Sequence, residues 1–405
     1  MFDVVVVGGG PVGACAAALL ARGTGRGGGA LRVALLEPAP PASLPAAAPL
    51  QTRVVALSRA SERILKSAGA WPRMAGARVS AYERMRVWHE RVAPGSDAVL
   101  RFDAADLGEP NLGYIAESQL LQWALLEAFA EAGGHLEPAS LESLEITEGG
   151  VGVVTGRGRL ATRLVVGADG ASSRVRQAAG IAAEVAGYGQ TAIIATVATA
   201  RPHEATAWQR FMRDGTLAFL PLADGTSSIV WSADDELAAR LVAASDDAFI
   251  AELDRASDLA LGATRLRGAR VSFPLQRLNA QHYVVQRVAL TGDAAHVVHP
   301  LAGQGVNLGL ADAAALAQLV LAATAAREDP GAFGVLRAYE RWRRSEVALM
   351  STAIDAFDRW LAHGAGPVAR TAQHGLAWVN RSQELRRFFI RRALGMSGEL
   401  PSAAR

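Results

Sequence analysis

The 405-residue chain contains one cysteine, Cys15, and one lysine, Lys66. A lone cysteine excludes an intrachain disulfide and any metal site built from cysteines. With arginine supplying the rest of the basic set, lysine-based catalysis is removed everywhere except at Lys66. An excess of either charge is also missing: 41 basic residues face 39 acidic ones. No global field therefore points to nucleic acid as a partner. Long hydrophobic runs are absent too. The longest apolar stretch, Ala313 to Ala326, is interrupted by Gln318 and falls short of a bilayer span. The opening MFDVVVVGGG carries no basic segment ahead of its valines, so it reads as a first strand rather than a signal peptide. The expected location is the cytoplasm, with contact at most on the inner face of a membrane. No Ser/His/Asp or metal-ligand constellation stands out, and none is expected to carry the chemistry.

What is present is glycine at strand-to-helix turns. Val4–Val7 reads as a buried parallel strand, followed by Gly8-Gly9-Gly10-Pro11-Val12-Gly13 and an Ala/Leu-rich helix. Gly8, Gly10 and Gly13 form a G-x-G-x-x-G fingerprint, which allows a tight turn and close approach of a pyrophosphate to a helix N-terminus. A second strand over 32–36 ends at Glu37, an acid placed to accept ribose hydroxyls, which favours FAD or NAD over NADP. The glycine-dominated 23–30 stretch between them reads as a surface loop. Leu164–Arg176, LVVGADGASSRVR, presents a second strand running into Asp169-Gly170, with Ser173 and Arg176 at helix-opening spacing. A third such turn is GDAAHVVHPLAGQGVNLGLAD, Gly292 to Asp312. It follows the apolar run Val288-Ala289-Leu290 and leads into a long helical pattern, with Asp293 placed to bind a polyol.

Between 187 and 232 the pattern changes to short β-type runs: Ala192–Val197, Trp208–Phe211, Leu217–Leu222 and Ser228–Trp231. Turn signals separate them, which predicts an antiparallel sheet inserted into the first domain. One helix is expected over 234–253, a return of the parallel pattern at 284–290, and an all-helical region beyond Pro330.

These segments together resemble one family, the FAD-dependent aromatic-ring monooxygenases of the p-hydroxybenzoate hydroxylase fold, nearest to the ubiquinone-biosynthesis hydroxylases. The resemblance rests on Gly8–Gly13 with Glu37, Arg53 in RVVALS, Trp88 in MRVWH, Gly113–Glu117 and Asp169-Gly170. It continues through Tyr188-Gly189-Gln190, Ala207–Phe211, Leu220-Pro221-Leu222 and Gly292–Asn307. The insertion at 23–30, and His89 where the family often has an acid, are departures from its pattern. The resemblance implies an α/β fold: a Rossmann-like FAD-binding domain, an inserted, largely antiparallel substrate domain, and a helical C-terminal region. The expected FAD domain comprises 1–80, 105–180 and 276–330, the substrate domain 81–104 and 181–275, and the helical region 331–405.

It further implies that NAD(P)H reduces FAD, and that O2 then forms a flavin C4a-hydroperoxide that hydroxylates a phenolic ring. Gly8, Gly10, Pro11, Val12, Gly13 and Glu37 would hold the adenosine half. Arg53 and Gln119 would approach the flavin or its phosphates, and Asp169-Gly170 would serve FAD and the nicotinamide. Gly292 and Asp293 would hold the ribityl–phosphate region, while Pro300, Gly303, Gln304, Gly305, Val306 and Asn307 would line the ring. His299 and Pro300 are the candidates nearest the chemistry, with His296 read as structural. Trp208, Arg210, Phe219 and Pro221 are the expected substrate pocket, although core packing would explain the same aromatics. A prenylated phenol lies in a membrane, and the tail from Gly331 to Arg405 holds twelve arginines against six acids. Its patch 382–394, with Phe388, Phe389 and Ile390 between arginine pairs, suits the headgroup boundary. A helix docked on the core, or contact with other quinone-biosynthesis proteins, fits the same pattern. Two rivals stand beside this reading: a same-fold hydroxylase of a soluble aromatic acid, for which Arg210 would meet the carboxylate, and a flavin-bearing subunit without turnover.

Overall fold

The structure, a computed structural model, describes residues 1–23, 30–43, 48, 50–75, 78–299, 303–361, 395 and 398–405, and for 353–361 the backbone alone. Pro300 and the 382–394 patch lie outside the described residues.

Phe2–Val7 is the centre of an eight-stranded sheet. It pairs in parallel with Val33–Leu36 on one side and Gly158–Gly167 on the other. Val4, Val5 and Val6 are fully buried, as expected for a strand covered on both faces. His135–Glu137 extends the sheet beyond Val33–Leu36, and Val288–Leu290 extends it beyond Gly158–Gly167, both in parallel. The helix Pro11–Arg22 opens with proline at its first turn, where the missing N–H costs no hydrogen bond. Val284–Val285 turns back on Val288–Leu290 as an antiparallel hairpin, so the parallel pairing expected over 284–290 holds only for its second half.

A nine-stranded sheet forms the second layer. Its central strands are Ala183–Thr199, Ser227–Asp234, Gly215–Pro221 and Thr206–Met212, all antiparallel neighbours. Thr206–Met212 then pairs in parallel with Arg84–His89, far earlier in the chain. The short strand His296–Val297 also joins this sheet, through Val271–Ala280. It thereby ties the Gly292 turn to the second layer. Two helices, Asp235–Ala243 and Asp246–Ser257, cover one face. The single helix expected there is split because the Ser245 hydroxyl accepts the Ala248 N–H and starts a new helix. A small third sheet joins Val54–Ser58, Gly113–Glu117 and Ser80–Tyr82.

The apolar stretch near 313–326 belongs to a longer helix, Gln304–Ala325, whose most apolar 18-residue window has a mean hydropathy of 1.6. Length and composition would let this helix cross a membrane, yet it is mostly buried inside the protein. It is apolar all round because it is packed on most of its circumference. Its one deeply buried charge, Asp312, is fully enclosed and accepts from three directions. Gly292 N–H donates at 3.1 Å, His296 Nε2 lies at 2.6 Å, and Arg343 Nε donates at 2.7 Å from the helix Phe333–Leu361. Burial alone would raise the Asp312 carboxyl, but His296 and Arg343 outweigh it and hold the group below its ordinary value.

Removing one partner of such a buried pair is expected to cost about 3–5 kcal/mol. Arg343→Met should lower the urea-unfolding free energy at neutral pH by that amount, and Arg343→Met with Asp312→Leu should recover much of it. Because the folded pKa is depressed, the contribution is complete above the ordinary value near 3.8 and is lost as pH falls through the folded one. Denaturation curves at neutral pH and near pH 3 measure both effects.

Candidate active site

The two large sheets and the small third one share a single cavity of about 600 Å³. One wall is the dinucleotide cradle. Gly10, Pro11 and Val12 of the first turn, Ala168, Gly170 and Ala171 of the second, and Thr291 and Asp293 of the third all line it. Gly13 is fixed by packing, since a β-carbon there would lie 1.9 Å from the Gly8 carbonyl. At Gly10 the opposite holds: a β-carbon would meet nothing within 4 Å, so that side of the turn is open for a ligand to approach. Glu37 accepts the Gly9 N–H at 2.9 Å and the Ala39 N–H at 3.0 Å, which holds the acid at the rim of the first turn. Gln122 donates to the Gly9 carbonyl at 2.9 Å, which steadies the same turn.

The second and third turns are tied together by Arg176, a residue quoted in the motif but given no role. Its buried guanidinium donates to the carbonyls of Ala171 at 2.8 Å and Ala294 at 2.9 Å. Asp169 does not open into the cavity. Its carboxylate accepts from Ser173 Oγ and from the N–H groups of Arg174 and Val175, so it caps the short helix and sets the position of Gly170. Asn307 has a similar task. It accepts from Ser58 N–H and Ser61 Oγ and donates to the carbonyls of Ala56 and Gly303. All four of its hydrogen-bonding positions are thereby used in holding the helix start against the strand that follows Arg53.

Gly303, Gln304, Gly305 and Val306 line the cavity at that helix start, where the helix dipole favours negative charge. Gly303 caps the helix in the left-handed region, with φ 63°. The side chains of Arg53 and Asp293 face the cavity without a hydrogen-bond partner among the described residues. The Asp293 side chain is accessible from the cavity yet surrounded by protein. That enclosure raises its carboxyl above the ordinary value, while His296 and Arg53 oppose the rise. Gln119 lies outside the lining and is bonded to Gln51 and to the Ala42 carbonyl.

The other wall is one face of the nine-stranded sheet: Ile194, Ala207, Gln209, Thr216, Ala218, Leu220, Val230 and Ser232, with Met85 and Phe102 beside them. This corrects the expected substrate pocket. Side chains alternate across a strand, so Trp208 and Phe219 turn their bulk to the helix-covered face, packing with Trp88, Trp231 and Phe249. Trp208 nevertheless also lines the cavity, as expected. Pro221 is buried at the end of its strand, outside the lining. Arg210 points away as well, donating to the Ala256 carbonyl at 2.7 Å and the Glu90 carbonyl at 3.0 Å. A cation at the last carbonyls of Asp246–Ser257 complements that helix's C-terminus.

His296, bound to Asp312, is structural as expected. His299 is buried, lies 3.0 Å from Gln190 Oε1 through Nε2, and meets the Tyr188 ring edge-on. It is not among the cavity-lining residues. Burial lowers its pKa to about 4, so the ring is neutral at pH 7. The proton is assigned to Nε2 because Gln190 donates its own amide to Asp234 and offers oxygen to the histidine.

A family model described as an FAD binding domain matches residues 1–352. The chain belongs to this FAD-binding family. The flavoprotein is 37% identical to ubiquinone hydroxylase UbiL of Rhodospirillum rubrum, over 97% of this chain and 89% of that one. It is 34% identical to the 3-demethoxyubiquinol 3-hydroxylase of Escherichia coli K12, over 97% and 98%. Among solved structures, p-nitrophenol 4-monooxygenase PnpA of Pseudomonas putida DLL-E4 superposes with TM-score 0.76 at 19% identity, covering 99% of both chains. PqsL of Pseudomonas aeruginosa gives TM-score 0.72 at 25% identity, over 93% and 99%. The shared fold is that of the FAD-dependent aromatic hydroxylases. FAD fits the residues present: open backbone at Gly10 and Gly305, an acid at the ribose end, and unpartnered Arg53 and Asp293 facing the space between.

Two outcomes follow. A side chain at Gly10 fills ligand space rather than protein space, and overpacking of that kind costs about 1–3 kcal/mol. Gly10→Val should leave the melting temperature of FAD-free protein unchanged while weakening FAD binding about tenfold or more, read by flavin titration. His299 takes up its proton near pH 4 when folded and near 6.5 when unfolded. Stability should therefore fall as pH drops between those values, by about 1.4 kcal/mol per pH unit, and His299→Asn should remove that slope.

Proposed function

We propose that this flavoprotein is a monooxygenase that hydroxylates the ring of a prenylated phenol in ubiquinone biosynthesis, using NAD(P)H and O2. The observation that carries the reading is the shared cavity, in which a flavin cradle faces an apolar sheet wall. Similarity to UbiL and to the E. coli 3-hydroxylase supports the substrate class. FAD, when bound and reduced by NAD(P)H, supplies the oxygen-transfer chemistry, and the protein supplies position and electrostatics. The Gln304–Val306 N–H groups at the helix start stabilise negative charge on the ring. Arg53 and Asp293 hold the polar chain between cradle and ring. Ile194, Val230, Leu220 and Phe102 keep water from the reacting face. His299, neutral and turned to Gln190, acts on the turn that carries Val297 and Val298 rather than on the substrate.

The rival reading, a soluble aromatic acid as substrate, loses its expected anchor because Arg210 is committed to backbone carbonyls. Contact with a membrane surface through 382–394, and with other quinone-biosynthesis proteins, remains part of this proposal on charge pattern alone, as does a cytoplasmic location. Purified holoenzyme should oxidise NAD(P)H faster when a prenylated phenol is added, with hydroxylated product formed, and the deletion strain should accumulate such a phenol in its lipid extract. NAD(P)H oxidation that no phenol stimulates, together with normal quinone content in the deletion strain, would refute the proposal and favour a subunit without turnover.

A further inference from the structure

The cavity face of the nine-stranded sheet carries three side chains to which the proposed reaction gives no task. Gln209, Thr216 and Ser232 are 5%, 6% and 5% exposed. All three line the cavity, and none has a side-chain hydrogen-bond partner among the described residues. They are neighbours. Thr216 stands directly across from Ser232 in the strand register. Gln209 faces Ala218, two residues along the strand from Thr216. The residues beside them in sequence, Trp208, Leu217 and Trp231, pack into the helix-covered core, so the alternation of the strands turns the trio toward the cavity.

The three open onto one cavity wall and, surrounded by Met85, Phe102, Ile194 and Val230, form a hydrogen-bonding patch in an apolar frame. The patch is uncharged. Among the described lining residues the sole cation is Arg53 and the sole anion Asp293. Both stand on the cradle wall, near enough for Arg53 to act on the Asp293 carboxyl.

We propose that Gln209, Thr216 and Ser232 recognise the oxygen substituents of an uncharged phenol ring and select against rings that carry a carboxylate. The proposal rests on the monooxygenase reading and narrows its substrate class. Two hydroxyls and an amide each donate and accept, which suits a phenol hydroxyl or ether oxygen. A carboxylate placed there would lose its water with no cation to replace it. Sites built to hydrogen-bond a substrate group discriminate strongly against analogues that break the pattern.

The test uses the full-length, FAD-loaded enzyme and two ring probes, 2-allylphenol and 3-allyl-4-hydroxybenzoate, titrated by calorimetry at neutral pH. The neutral ring should bind about tenfold or more tightly than the acid. Thr216→Val and Gln209→Leu should each weaken its binding by about three- to tenfold with FAD content unchanged. Thr216→Arg should shift the preference toward the acid. Equal or tighter binding of the acid by the unmodified enzyme, binding of neither ring, or wild-type phenol affinity in both uncharged variants would overturn the inference. Turnover separates the two levels: an acid hydroxylated as well as the phenol sinks only this inference, whereas turnover with neither ring sinks the monooxygenase reading.

Discussion

The active site depends on one buried carboxylate. Asp312 sits on the apolar helix that follows the Gly303 turn, where an unpaired charge could not be tolerated. It is held by Arg343 from the C-terminal helix, by His296 and by the Gly292 N–H. These bonds fix the Gly292-Asp293 turn relative to the helix whose N-terminus lines the cavity. They also place His296–Val297, which pairs with the second sheet. A single desolvated group thus joins the cradle, the helix start and the substrate wall, and it needs all of its partners to remain ionised in the interior.

Around that point the chain separates holding from contacting. Asp169, Arg176 and Asn307 use their hydrogen bonds on backbone and on neighbouring side chains, which leaves glycines, Arg53 and Asp293 to face the cavity. The sheet wall follows the same division. On Gly215–Pro221 and Ser227–Asp234 the aromatics Phe219 and Trp231 pack against helices, while Thr216, Ala218, Leu220, Val230 and Ser232 face the cavity, with Phe102 beside them. The reacting face is therefore apolar with a neutral polar patch, and the charged groups lie on the cradle side.

Much of this was legible in the sequence. The strand–turn–helix context around Gly8–Gly13 and the acid at Glu37 pointed to a dinucleotide, and the resemblance carried by these turns named FAD, which the FAD-binding family match supports. Of the expected substrate-pocket residues, Trp208 lines the cavity while Arg210, Phe219 and Pro221 do not. Thr206–Met212 is buried on both faces, so its alternation gives two sets of residues without saying which set meets helices. Aromatic size drew attention to the packed face, while Gln209, Thr216 and Ser232 look like ordinary strand residues until the register aligns them. Asp312 lay inside the most informative segment, but its partner Arg343 is 31 residues away in a stretch rich in arginine, where no spacing singles it out. The helix break at Ser245 was hidden for a different reason: the apolar period continues across it, and only the capping hydroxyl marks the boundary.

Whether cradle and sheet wall enclose one reacting space is decided by a crystal structure of the FAD-loaded protein with 2-allylphenol bound. The isoalloxazine should lie between the Gly303–Val306 helix start and the sheet, with the phenol oxygen within hydrogen-bond distance of Gln209, Thr216 or Ser232. A flavin ring or a phenol lying outside the shared cavity would contradict this arrangement.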